Sequence, residues 1–321
     1  MVRLSICVLV ALTSVGCGDD GSAASDAATV DGQPLPFPDA AIDARGPVDP
    51  LVGVGTAVAI DTSFQFVEGP VWRPTAGVLL FSDIPANTIY QLAPPSTITT
   101  FRADSGNSNG LAEDQNGLLL AAEHGNRRVS RTTGAGQVVD VASMYQGMRL
   151  NSPNDIAVRA DGTLYFTDPP YGISSGEQEL AFNGVFRVDP AGTLTAEWQG
   201  STSARPNGVI LSVDQSVLYV ADTAGPVRAY DVAAGGALSG ERTFTSDVIG
   251  ADGMCLDQAG NVFVTTSTGV KAFAPDGSLW GTIAIPQAPA NCTFGGTDYR
   301  TMYVTARTGV YSVSMAVPGN H

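Results

Sequence analysis

Asn154-Asp155-Ile156-Ala157-Val158, a turn at Gly162, then Thr163-Leu164-Tyr165-Phe166-Thr167 is the stretch that decides the fold. Two short runs rich in branched and aromatic residues, bounded by turn formers, read as a pair of strands led by a polar residue. The same phrase occurs six times. Its other instances open at Glu68-Gly69-Pro70-Val71-Trp72, Asn109-Gly110-Leu111-Ala112-Glu113, Asn207-Gly208-Val209-Ile210-Leu211, Asp252-Gly253-Met254-Cys255-Leu256 and Asn291-Cys292-Thr293-Phe294-Gly295. The leading residues stand 39 to 53 positions apart, the period of a four-stranded propeller blade.

Third strands follow each pair, at 88–92, 128–131, 184–188, 226–230, 269–273 and 309–313. Fourth strands follow five of them, 96–102 and 137–142 among these, and no long helical periodicity intervenes. The sixth unit runs out of chain near Met315, whereas 54–66 has strand character without a blade of its own. The expected fold is therefore all-β: a six-bladed β-propeller of four-stranded blades, closed by an N-terminal strand that completes the last blade and removes an exposed edge. Strand direction puts the loops after each second strand, 82–87, 123–127, 168–172, 222–225, 266–269 and 306–309, around one mouth.

Residues 1–16 read as an export signal: Arg3, then an apolar run from Leu4 to Leu12 too short to span a membrane. The run ends in Ser14-Val15-Gly16-Cys17, similar to a bacterial lipoprotein cleavage site, so Cys17 is the expected lipid attachment point. Residues 17–50, composed of Ala, Asp, Gly, Ser and Pro, read as a flexible acidic tether, and 51–321 as the propeller domain. The expected location is the bacterial envelope, exported and lipid-anchored. Cys255 and Cys292 stand three and one positions after their leading residues; both offsets are odd, so strict alternation aims them off the same face of successive sheets. Two buried free thiols are expected.

Of the 321 residues, 44% are hydrophobic and 15% charged, which supports a large core. A net charge of −15, from 31 acidic and 16 basic residues, argues against a nucleic-acid partner. A small molecule and a monomer are expected instead.

Blades sit radially, so the six leading residues converge on one axis. Six oxygen-bearing side chains aimed at one point are costly to bury without a positive charge among them. Oxygen ligands select hard cations, Ca²⁺ first, with Mg²⁺ or Mn²⁺ as substitutes. The chain has only two histidines, His124 and His321, which excludes a His-rich zinc or iron centre. Each Asn-Gly taken singly reads as a turn former. Six in register, charged only at Glu68 and Asp252, read as a cation site. A cation with open positions would acidify a water, and Asp252 would be the base.

The motifs resemble the gluconolactonase, regucalcin and luciferin-regenerating family of six-bladed propellers. The likeness spans residues 60–312 and rests on Phe66-Val67-Glu68-Gly69-Pro70-Val71-Trp72, Glu123-His124-Gly125-Asn126-Arg127-Arg128, Asn151-Ser152-Pro153-Asn154-Asp155, Thr167-Asp168-Pro169-Pro170-Tyr171-Gly172, Arg205-Pro206-Asn207-Gly208 and Asp252-Gly253-Met254. It is most similar to the bacterial gluconolactonase branch. The resemblance implies a divalent cation, Ca²⁺ or alternatively Mg²⁺, Mn²⁺ or Zn²⁺, held by Glu68, Asn154, Asn207 and Asp252. It also implies that Asp252 is the general base, or a nucleophile in phosphotriesterase-like relatives. Animal members carry a substrate-contacting Arg where this chain has Ser152. Asn109, His124, Arg149 and Tyr171 are the candidate substrate contacts in its place.

The leading reading is a metal-dependent lactonase that opens a sugar lactone or small ester with a cation-bound water in the central tunnel. Two others stay open: an organophosphate triester hydrolase using the same site, and a non-catalytic binding propeller around a structural ion.

Overall fold

The computed structural model describes residues 48–320; the expected signal segment, Cys17 and the tether as far as residue 47 lie outside the described residues. Six four-stranded antiparallel sheets form the six blades, and no helix occurs among the described residues. Blades 1 to 5 run 67–103, 108–142, 156–200, 206–245 and 254–283, each laid down from inner strand to outer strand in chain order. Blade 6 takes Asn291–Gly295, Thr301–Ala306 and Gly309–Ser314 from the C-terminal end and Val58–Asp61 as its outer strand. Val58 pairs Ser312 and Ala59 pairs Tyr311, so the ring closes as the strand count requires. A short hairpin, Met144–Tyr145 with Met148–Arg149, follows blade 2.

Burial falls from axis to rim. In blade 1 the second strand, Val78–Asp83, is buried throughout, whereas the outer strand Thr97–Ala103 is mostly exposed. Apolar residues fill the spaces between blades. Trp72 of blade 1 stacks on Tyr303 of blade 6 with ring centroids 5.7 Å apart and planes within 10°. Phe263 of blade 5 meets Phe294 of blade 6 edge-on at 5.5 Å. Such pairs add roughly 0.5–1.5 kcal/mol beyond the area they bury.

Near the axis the blades are joined by polar contacts. Second-strand hydroxyls donate to the next blade: Ser82 Oγ to the Asn109 carbonyl at 2.8 Å, and Thr167 Oγ1 to the Asn207 carbonyl at 2.6 Å. The Gly110 N–H donates to the Asn154 carbonyl at 2.7 Å, and the Gly208 N–H to the Asp252 carbonyl at 3.0 Å. Glycine after the leading residue is what permits this approach. A Cβ at either position would stand 2.5 Å from that same carbonyl oxygen.

The inner strands carry one irregularity that matters for the cysteines. In blade 5 the Asp252 N–H donates to the Thr265 carbonyl, and the Thr265 N–H donates to the Gly253 carbonyl, so two residues oppose one. Blades 1, 2 and 4 show the equivalent register shift at their leading residues. Blade 6 pairs without a shift from Asn291–Thr305 to Gly295–Thr301. One inserted residue turns every later side chain to the other face. Equal parity along the sequence therefore becomes opposite facing. Cys255 points toward blade 6, Cys292 points back toward blade 5, and the two form a disulfide with Cα atoms 5.6 Å apart. The expectation of two free thiols is overturned: it assumed uninterrupted alternation in both strands.

Candidate active site

The inner strands bring Glu68, Asn109, Asn207 and Asn291 to the axis as buried polar residues, and Asn154, also buried, comes from two residues before the inner strand of blade 3. Asp252 joins them from two residues before the inner strand of blade 5 and keeps an accessible edge. Glu68 and Asp252 are close enough to oppose each other's ionisation. Burial first, then the charge of Asp252, pushes the Glu68 carboxyl well above the carboxylate range, while the Gly69 N–H and the Asn291 amide pull it down. Burial also raises Asp252, to about 7, against the hydrogen bond from the Asn207 side chain and the positive charge of Arg307.

The sequence reading missed a third carboxylate. Asp155 stands at the position glycine occupies in four other blades, and it is 8% exposed. It accepts the Ile156 N–H at 3.0 Å and the Val209 N–H at 3.2 Å, tying blade 3 to blade 4. Burial raises its pKa to about 6, and its charge raises both Glu68 and Asp252. Asn291 is the matching counterweight: its side chain hydrogen-bonds both Glu68 and Asp155. The signal was available, because blade 3 is the one blade where a charged residue stands in the place of that glycine.

The arrangement fits a hard divalent cation. Glu68 and Asp252 contribute carboxylate oxygens, and Asn154 and Asn207 contribute amide oxygens. The Asn154 side chain is 3% exposed and no hydrogen bond joins it to another described residue, so its amide is free for something in the tunnel. The oxygens of Asp155 are engaged by backbone N–H groups, which removes it from the donor set. No group of three or more His, Cys, Asp and Glu among the described residues is placed to hold a metal ion by itself, so the amides are needed to complete the shell.

Above the axis, three of the four expected substrate contacts form one wall. His124 Nε2 lies 3.5 Å from Asn109 Nδ2. Desolvation lowers the His124 pKa to about 4, so its imidazole is neutral near pH 7 and presents one donor and one acceptor. The Tyr171 phenol hydrogen-bonds Thr223 and Asn207 and senses the charge of Asp252. It leans from blade 3 across the mouth to blade 4. Ser152 holds it there: its hydroxyl donates to the Pro169 carbonyl at 2.6 Å and accepts the Gly172 N–H at 2.8 Å. Ser152 is thus a clamp on the Tyr171 loop. Arg149 stands apart, exposed, with its guanidinium donating to the Asn126 carbonyl at 3.4 Å.

The residues flanking His124 build its loop. Glu123 is buried and accepts from Arg128 Nε at 2.7 Å, Asn126 Nδ2 at 2.6 Å and Ser130 Oγ at 2.5 Å. Arg127 turns the loop in the left-handed region, with φ of 56°, and donates from Nε to the Leu150 carbonyl at 2.7 Å.

A carboxyl whose folded pKa is raised stabilises the fold fully below its unfolded pKa and loses that contribution as pH rises through the folded value. For Asp252 the window runs from 3.8 to about 7. The Tm of chelator-treated protein should therefore fall between pH 4 and 7.5, and added Ca²⁺ should raise it more at pH 7.5 than at pH 5. A calcium-induced Tm shift independent of pH would contradict this account of the axis.

Residues 66–308 match the family described as "SMP-30/Gluconolactonase/LRE-like region". The chain is 35% identical over 303 residues to a gluconolactonase of Zymomonas mobilis, covering 83% of each chain. It is 27% identical over 261 residues to a pentonolactonase of Haloferax volcanii, covering 78% of this chain and 84% of the relative. Among solved structures, a gluconolactonase of Xanthomonas campestris superposes with a TM-score of 0.75 at 30% identity, covering 81% of this chain and 89% of the other. With its six blades, its axial oxygen cluster and these likenesses together, the chain belongs to the SMP-30/gluconolactonase/LRE-like family.

Proposed function

We propose that this protein is a cation-dependent lactonase that opens a sugar lactone or a similar small cyclic ester. The observation that carries the reading is the pair of mutually repelling buried carboxyls, Glu68 and Asp252, beside the unpartnered amide of Asn154. A divalent cation, Ca²⁺ foremost, held by Glu68, Asn154, Asn207 and Asp252 would polarise the lactone carbonyl and acidify a water. The chain's own residues do the rest.

Asp252 accepts the proton of the attacking water. The Asn207 amide holds its carboxylate in place for that role. The water oxygen adds to the carbonyl carbon, and the Asn154 amide is available to donate to the oxygen that gains charge. Collapse breaks the bond to the ring oxygen. The proton on Asp252 passes to that leaving oxygen and the product is the open hydroxy acid. Neutral His124, with Asn109, and the Tyr171 hydroxyl offer hydrogen bonds to substrate hydroxyls along the wall. Arg149 would reach a substrate only at the outer rim.

Asp252→Asn should lower kcat for gluconolactone by about 10³-fold, in the range of lost general-base catalysis, with circular dichroism unchanged. Wild-type turnover in that variant would remove Asp252 from the chemistry.

From the N-terminal sequence we also propose that the enzyme is exported and lipid-anchored through Cys17. The Cys255–Cys292 disulfide supports this, since such bonds persist in oxidising compartments. Palmitate labelling of the expressed protein should be lost in Cys17→Ser; labelling that persists there would refute the anchor.

A further inference from the structure

We propose that the mouth carries an apolar subsite between blades 4 and 5, and that the natural substrate is a lactone or ester bearing an apolar substituent. This rests on the lactonase reading and narrows its substrate class. A cavity of about 320 Å³ opens there, at the small end of the roughly 300–1,000 Å³ typical of small-molecule sites. One wall is the loop after the second strand of blade 4, with Ala224 and Pro226; the other is the segment leading into Asp252, with Val248 and Ile249. No charged side chain lines it, although the chain carries 47 charged side chains in all, 31 acidic and 16 basic.

Ile249 is 89% exposed, more than any other large hydrophobic residue among those described. A single exposed isoleucine is unremarkable. One that walls a cavity three residues before the proposed base has a use. The cavity and the active site share Thr223. The Thr223 hydroxyl accepts from Asn207 Nδ2 at 3.1 Å and donates to the Ala251 carbonyl at 2.9 Å, and it also meets the Tyr171 phenol. A carbonyl placed at the axis would send its substituent over Thr223 into this cavity. The lining offers hydroxyls only from Thr223 and Ser246, too few for a polyhydroxylated chain. A short alkyl or aryl group satisfies it.

The test separates the subsite from the catalysis. γ-Lactams with side chains of one to six carbons resist hydrolysis, so calorimetry reads their binding alone. Wild-type affinity should rise about threefold per methylene over the first several carbons, somewhat below the value for full burial. In Ile249→Asp the rise should be flat, while gluconolactone turnover stays at the wild-type rate. Equal chain-length dependence in both proteins, or none in the wild type, would overturn the subsite. Absence of any lactone hydrolysis by the wild type would instead overturn the lactonase reading and leave the lactam result standing on its own.

Discussion

Three carboxyls buried around one axis, Glu68, Asp155 and Asp252, are the constraint on which the rest of this molecule depends. In a region of low dielectric they resist ionising together. Each is answered differently. The charge on Asp155 is balanced by backbone donors from Ile156 and Val209. Glu68 receives the Gly69 N–H and the Asn291 amide, and Asp252 receives the Asn207 amide. What these donors leave uncompensated lies on Glu68 and Asp252, and it is this excess that the proposed cation would answer.

The propeller makes such a cluster possible because its stability comes from elsewhere. Aromatic and branched residues between blades supply the apolar burial. Closure by Val58–Asp61 removes the open edge, and the Cys255–Cys292 bond fixes blade 5, which presents Asp252, to blade 6, which presents Asn291. Glycine after the leading residue lets neighbouring inner strands touch, and that contact narrows the axis. Where Asp155 replaces glycine, the ring gives up a small residue and gains a charge that perturbs both proposed carboxylate ligands.

The repeat made the ring legible in the sequence, because blade period, strand pattern and the missing outer strand each follow from spacing and side-chain type. The convergence of Glu68, Asn154, Asn207 and Asp252 on the axis was legible too, since all four lead units of that repeat. Two things were hidden. The facing of Cys255 and Cys292 depends on a bulge present in blade 5 and absent from blade 6, and a bulge leaves no mark when one simply counts residues. The wall formed by His124, Asn109 and Tyr171 depends on loop conformation: Ser152 clamps the Tyr171 loop, and Glu123 and Arg127 shape the His124 loop. Arg149 looked equivalent on sequence position, yet its guanidinium rests on the Asn126 carbonyl. Arg307 drew no notice in the sequence, although its charge lowers Asp252 from the neighbouring blade 6.

The central claim is that the axial carboxyls hold protons until a cation displaces them. Calorimetric titration of Ca²⁺ into chelator-treated protein at pH 6.5, repeated in buffers of different ionisation enthalpy, measures both the stoichiometry and the protons released. One ion per chain with net proton release, both lost in Glu68→Gln, is the predicted result. Binding without proton release, or binding unchanged in that variant, would contradict it.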